Sequence, residues 1–105
     1  MANRLGLFFV VAYSFAMVNV DFAASLQRHK PCPPQSVAAG TLASVLTQAF
    51  AAEPGLRHYV LDDQGHIRKH VAVFINGAMH QQRQRMDLDV ADQAKVLVIQ
   101  CLTGG

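Results

Sequence analysis

The sequence predicts a small α+β fold: a mixed sheet of four to five strands with one main helix on one face. Three observations predict it. Leu42, Val45, Leu46, Ala49 and Phe50 recur at i, i+3, i+4, i+7 and i+8, which is a single apolar stripe along a helix. Val18, Val20 and Phe22 alternate with Asn19 and Asp21, the period of a half-buried strand. The β-branched run 71–75 is followed at once by Asn76-Gly77, the strongest short hairpin signal a sequence can carry. At 105 residues, 51% apolar and 15% charged, the chain is long enough for one hydrophobic core and too short for two.

The elements follow in order. The first strand begins at residue 18 and is expected to continue through Ala23 to Leu26. It breaks at residues 27–34, where Pro31, Pro33 and Pro34 enforce a turn. Residues 35–39 pair back as the second arm of a hairpin. Thr41 is placed to N-cap the helix, because its hydroxyl can accept from the unsatisfied amides of the first turn. Pro54-Gly55 ends the helix. Residues 56–61 read as extended or irregular, and Asp62-Asp63-Gln64-Gly65 as a turn, with Asp bonding its own backbone and Gly supplying positive φ. Residues 78–82 form the return arm after Asn76-Gly77. Residues 83–92 read as a loop with one short helical turn, anchored by Met86, Leu88 and Val90. Val96, Leu97, Val98 and Ile99 lie in a last buried strand, 95–102, that runs into Thr103-Gly104-Gly105. A hairpin, one helix crossing over and a final strand parallel to the first is the β-grasp (ubiquitin-like) arrangement, with the crossover right-handed. Another small α+β sandwich is the competing one.

Residues 1–16 form an apolar N-terminal extension to a domain spanning 17–105. The run Leu5-Gly6-Leu7-Phe8-Phe9-Val10-Val11-Ala12 after Arg4 fits a signal-like segment or an extension from an upstream start, and is short for a membrane span. Cleavage near Ala23-Ala24-Ser25 would delete the first strand, which favours the upstream start and a chain beginning at Met17.

Charge and cysteine usage exclude several functions. The net charge of +2 is too small to imply nucleic acid, although basic residues cluster at 28–30, 66–70 and 83–85 beside turns, where a solvated charge is the default. Cys32 and Cys101 make neither a CxxC pair nor a disulfide framework, so a reduced cytoplasm is the simpler compartment. Cys101 reads as a small buried hydrophobe, with attack on the chain terminus the reactive alternative. The five histidines do not fall at zinc spacings, and no metal is expected.

Gly104-Gly105 is the candidate for chemistry, with a merely flexible tail as the competing reading. Two residues without Cβ let a backbone thread a narrow channel and present its last carboxylate inside a partner. Taken with Val18-Asn19-Val20-Asp21-Phe22-Ala23, Gly40-Thr41-Leu42-Ala43-Ser44-Val45-Leu46, the Asp62–Arg68 turn, His70-Val71-Ala72-Val73-Phe74-Ile75-Asn76-Gly77 and the stretch 96–105, the chain resembles the MoaD/ThiS family of small ubiquitin-like sulfur carriers. Within it, Asp63-Gln64-Gly65-His66-Ile67-Arg68 is most similar to the branch serving cysteine synthesis in actinobacteria.

The resemblance implies a carrier rather than an enzyme. An E1-like adenylating enzyme of the MoeB/ThiF type would use ATP to activate the Gly105 carboxylate, with Gly104 giving access. A sulfur donor of the rhodanese or desulfurase type would convert the adenylate to a thiocarboxylate, and an acceptor synthase would take the sulfur toward molybdopterin, thiamine, cysteine or a related product. No cofactor is bound by the carrier, and neither nucleic acid nor membrane is a partner. Phe74, Val98, Gln100, Leu102 and Thr103 are the candidate partner-contact residues, on the sheet face beside the tail. A ubiquitin-like modifier joined through Gly105, and the small subunit of a molybdopterin-synthase-type complex, are the alternatives.

Overall fold

Residues 16–101 are described by the computed structural model. Gly104, Gly105, Leu102, Thr103 and residues 1–15 of the N-terminal extension lie outside them. Strand β1, Met17–Phe22, and the last strand, β7, Lys95–Gln100, lie side by side and parallel, with Asn19 opposite Lys95 and Phe22 opposite Val98. Around this pair the sheet takes the order β2-β1-β7-β4-β5, where β2 is Gln35–Ala38, β4 Val71–Ile75 and β5 Ala78–Met79. All neighbours other than β1 and β7 are antiparallel. A second, two-stranded sheet joins β3, Gly40–Thr41, to β6, Asp89–Val90.

The helix expected on one face is α2, Leu42–Phe50. The Thr41 hydroxyl accepts from the Ser44 amide at 3.2 Å, as its capping role requires. All five residues of the apolar stripe are buried, against Val18, Val20, Phe22, Val73, Val96 and Val98 from the facing sheet. The Phe22 and Phe50 rings stack at 6.0 Å between centroids. At Asn76-Gly77 both central residues have positive φ, +52° and +85°, the type I′ geometry whose twist matches the flanking strands. The Asp62 carboxylate accepts from the amides of His66 and Gln64, each at 2.9 Å. These two bonds, His66 first, hold the Asp62 pKa below the usual carboxylate value.

Four expectations are corrected. β1 stops at Phe22 and the chain turns into a one-turn helix, α1, Ala24–Gln27. The turn is fixed by the Gln27 amide, which exchanges hydrogen bonds with the backbone of Cys32 and also donates to the Phe22 carbonyl. It drops Leu26 into the core. Residues 54–60 are helical rather than extended: a 3₁₀ turn, Pro54–Leu56, leads into α3, Arg57–Val60, and sinks Leu56 and Val60, one helical turn apart, out of solvent. The loop 83–92 contains β6 in place of a helical turn, and Leu42 and Ala43 donate from the start of α2 to the carbonyls of Leu88 and Met86. The return arm pairs only over Ala78–Met79. Cys101, read as a buried hydrophobe, is exposed, and it is Cys32 that is buried.

The core sets two tests. Leu46→Ala should cost about 2–5 kcal/mol in urea unfolding, while Thr47→Ala on the outer side of α2 should stay within about 0.5 kcal/mol. Burial, helped by the nearby Glu53 charge, pushes the Cys32 thiol pKa up. In the folded protein an aromatic disulfide reagent should therefore react rapidly with one thiol, Cys101, and with Cys32 only on unfolding. Two equally fast thiols would contradict this burial pattern.

Candidate functional site

The chain leaves the sheet at the end of β7, and the period-two alternation of that strand decides which side chains face a visitor there. Val96 and Val98 are 1% and 0% exposed and point toward α2, whereas Leu97 is 36% exposed on the opposite, uncovered face. Register carries the same parity to the neighbours: Asp21 and Phe74 lie opposite Leu97, Ala72 opposite Ile99, and Met79 opposite Phe74. The result is an apolar strip of Phe74, Met79, Leu97 and Ile99 on the open side of the sheet. Met79, at 45%, is the most exposed large hydrophobic side chain among the described residues. Asp21, Phe74, Gly77, Lys95, Leu97 and Ile99 line a shallow depression of about 370 Å³ in this face. A continuous apolar strip rimmed by Asp21 and Lys95 is the signature of a protein-contact surface.

This geometry sorts the sequence candidates. Phe74 lies on the open face, as expected of a contact residue. Val98 does not: it is wholly buried in the core, because it is in register with Phe22 and Val73 on the helix side. Gln100 shares the parity of Val98 and contributes at the root of the tail rather than on the open face. Leu97, Ile99 and Met79 were missed. For the first two the signal was present, since Lys95 must face solvent and residues 97 and 99 follow it at period two.

The root of the tail is clamped on both sides. β4 holds one edge, and the Cys101 amide donates to the His70 carbonyl at 2.6 Å. On the other edge β1 ends, its last ladder bond being the Ala23 amide to the Val98 carbonyl at 2.9 Å. From there α1 takes over. The Ser25 hydroxyl accepts from the Gln100 amide at 3.1 Å, replacing the strand carbonyl that is no longer there. His29 Nε2 lies 2.9 Å from Gln100 Oε1, to which it can only donate, and the His29 ring stacks on Tyr59 at 4.5 Å. The direction in which the chain departs toward 102–105 is thus set by Ser25, His29 and His70.

No group of three or more His, Cys, Asp or Glu side chains is placed to hold a metal ion among the described residues. Nor is any helix there long and apolar enough to cross a membrane. The side chains around the tail root can bind and orient a partner.

No protein-family model and no curated protein matches the chain. Solved structures do. The crystal structure of SAMP1, small archaeal modifier protein 1, from Haloferax volcanii superposes with a TM-score of 0.69 at 20% identity, over 85% of this chain and 99% of that one. CysO from Mycobacterium tuberculosis gives 0.67 at 19% identity, over 81% of this chain and 99% of CysO. A chain of the Amycolatopsis orientalis BexX/CysO complex gives 0.66 at 17%, over 84% and 99%. With the mixed sheet and covering helix described above, these superpositions show that the chain has the α+β β-grasp fold of these ubiquitin-like proteins.

Proposed function

We propose that this chain is a sulfur carrier whose Gly105 carboxylate is activated and thiolated by partner enzymes. One observation carries the reading. The central strand of the β-grasp sheet, β7, is the last element before residues 102–105, and Gln100 and Cys101 at its end are hydrogen-bonded to Ser25 and His70, next to a strip of apolar side chains exposed among the described residues. The resemblance of the sequence to the MoaD/ThiS carriers and the structural likeness to CysO support it. So does the likeness to a chain of the BexX/CysO complex, in which a protein of this shape is held by another.

The chemistry follows from the poor electrophilicity of a carboxylate. The Gly105 carboxylate attacks the α-phosphorus of ATP in an E1-like enzyme of the MoeB/ThiF type, releasing pyrophosphate and forming an acyl-adenylate. Hydrosulfide then attacks the acyl carbon and expels AMP, leaving a thiocarboxylate and one proton. In the cell a rhodanese or desulfurase presents the sulfur as an enzyme persulfide, from which a thiol releases hydrosulfide and ends in a disulfide, and an acceptor synthase consumes the thiocarboxylate. This chain is the substrate throughout. Gly104 and Gly105 keep the tail slim enough to enter the active site. The Phe74–Leu97–Ile99–Met79 strip holds the body of the domain against the enzyme.

A second reading, conjugation of Gly105 to a lysine, is favoured by the likeness to a protein named as a modifier. Both share the adenylate and differ in the nucleophile. Incubation with ATP, an E1-like enzyme and sulfide, followed by intact-mass measurement, separates them. Replacement of one oxygen by one sulfur is expected, and lysine-linked adducts without it would establish the modifier instead. Deletion of Gly105 should abolish the mass change and leave the melting curve in place. A deletion variant that still forms thiocarboxylate would rule out the proposal.

Leu97→Asp puts an unpaired charge in the centre of the strip. It should raise the KM for activation by roughly tenfold or more, the cost of about 1.4 kcal/mol or greater usual for a central contact. The fold should survive, because Leu97 already faces solvent. An unchanged KM would remove the strip from the interface.

A further inference from the structure

Five of the nine Lys and Arg residues, Arg28, Lys30, Arg57, Arg68 and Lys69, gather at the end of the sheet where the chain leaves β7. They belong to three segments, 28–30, 57–58 and 68–70, that the fold ties together there. The His29 ring stacks on Tyr59, the Arg68 Nε donates to the His58 carbonyl at 2.7 Å, and the Cys101 amide donates to the His70 carbonyl. All five basic side chains are exposed. The sole ion pair within 4.0 Å among the described residues, Arg85 with Asp87, lies elsewhere. These segments contain no acid; Glu53 flanks Gly55 together with Lys30 but forms no ion pair with it, and Asp62 near Arg68 has its carboxylate committed to two amides of its own turn. The rest of residues 16–101 carries three Lys or Arg against seven Asp and Glu. A chain of nearly balanced charge has therefore placed most of its positive charge around one exit.

Reach makes that placement consequential. Four residues, 102–105, separate Cys101 from the terminal carboxylate, and fully extended they span at most about 13–14 Å. An enzyme that closes on Gly105 must bring its own surface to the sheet end carrying these five charges. We infer that this basic collar docks against an acidic protein surface at the mouth of the activating site.

The inference rests on the carrier reading and names the chemistry of its partner. A protein fits better than a nucleic acid for two reasons. The strands β4 and β7 that carry the apolar strip of Phe74, Leu97 and Ile99 also end at the collar, where Val71 pairs with Gln100 and His70 holds Cys101, so a partner closing on the tail meets apolar and charged surface on the same two strands. The acidic remainder of the surface opposes an extended polyanion, which needs a basic stripe or face to lie along.

The test compares two full-length variants that lower the net charge equally. Lys30→Gln with Lys69→Gln removes two collar charges; Thr47→Glu with Ala91→Glu adds two negative charges at exposed positions on the outer side of α2 and in the turn before β7, at the other end of that strand. Thiocarboxylate formation is followed by intact mass with the E1-like enzyme that activates the wild-type chain. The collar variant should show a KM raised about tenfold with kcat unchanged, and the control should stay within about twofold, because rim charges act on encounter rather than on chemistry. The wild-type KM should climb between about 50 and 300 mM salt and that of the collar variant much less. Equal KM values for the two variants, a loss confined to kcat, or wild-type binding to a single-stranded DNA oligonucleotide that is tighter than to the enzyme would each overturn the collar. Absence of any mass change in the wild-type chain would sink the carrier reading and the collar with it, and that result is read on the wild type alone.

Discussion

The parallel pairing of β1 with β7 joins residues 19–22 to residues 95–98, and every other part of the molecule is placed by it. Parallel neighbours cannot be joined by a tight turn, so the intervening chain has to climb over the sheet, and α2 is what makes that crossing. Its apolar stripe then has only one surface to meet, the inward parity of Val18, Val20, Phe22, Val96 and Val98. The loop-closure entropy of so distant a contact is met by burying those five side chains against Leu42, Val45, Leu46, Ala49 and Phe50. Because the helix covers one face alone, the other parity of β7 is left open, and no other described element lies over Leu97 and Ile99 on this central strand.

That single constraint explains what could be read from the residues and what could not. The helix, the cap at Thr41, the type I′ turn at Asn76-Gly77 and the Asp62 turn are local. Each is decided within a few residues by spacing, by a short polar side chain or by positive φ. The parallel arrangement was also legible, since a lone helix between a hairpin and a final apolar strand leaves few other ways to close a sheet. Residues 23–26 were not. Ala23-Ala24-Ser25-Leu26 is as compatible with a strand as with a helical turn, and the choice rests on Gln27 bonding across to Cys32, a contact no local pattern reveals. Leu56 and Val60 did carry helical spacing, but within a stretch shorter than two turns and opened by Pro54. The two residues of β6 are strand only because Gly40 and Thr41 lie opposite them.

The candidate site shows the same division. Phe74 lies on the open face of the sheet, while Val98 was chosen over its neighbours Leu97 and Ile99 and is buried. A run of four apolar residues hides its own parity, so the sequence offers either face. Lys95 breaks the tie, as a lysine at the start of a buried strand must lie on the solvent side. Gln100 was singled out for proximity to the tail, and it matters there for another reason: its amide and backbone are the handles by which His29 and Ser25 hold the strand end.

Clamping the root has an energetic logic. Association costs translational and rotational freedom plus the ordering of every segment that becomes fixed, and a root whose direction is already set leaves only the last few residues to be ordered. The apolar strip supplies affinity over the sheet, where water is released. The collar acts at longer range, over roughly a Debye length of about 8–10 Å, and orients the approach before contact. A partner with an acidic mouth would meet the tail end of the domain first, with the strip beside it. Specificity then lies in the arrangement of two ordinary surfaces about a fixed exit, and the terminal glycines need recognise nothing beyond a channel narrow enough to exclude a Cβ.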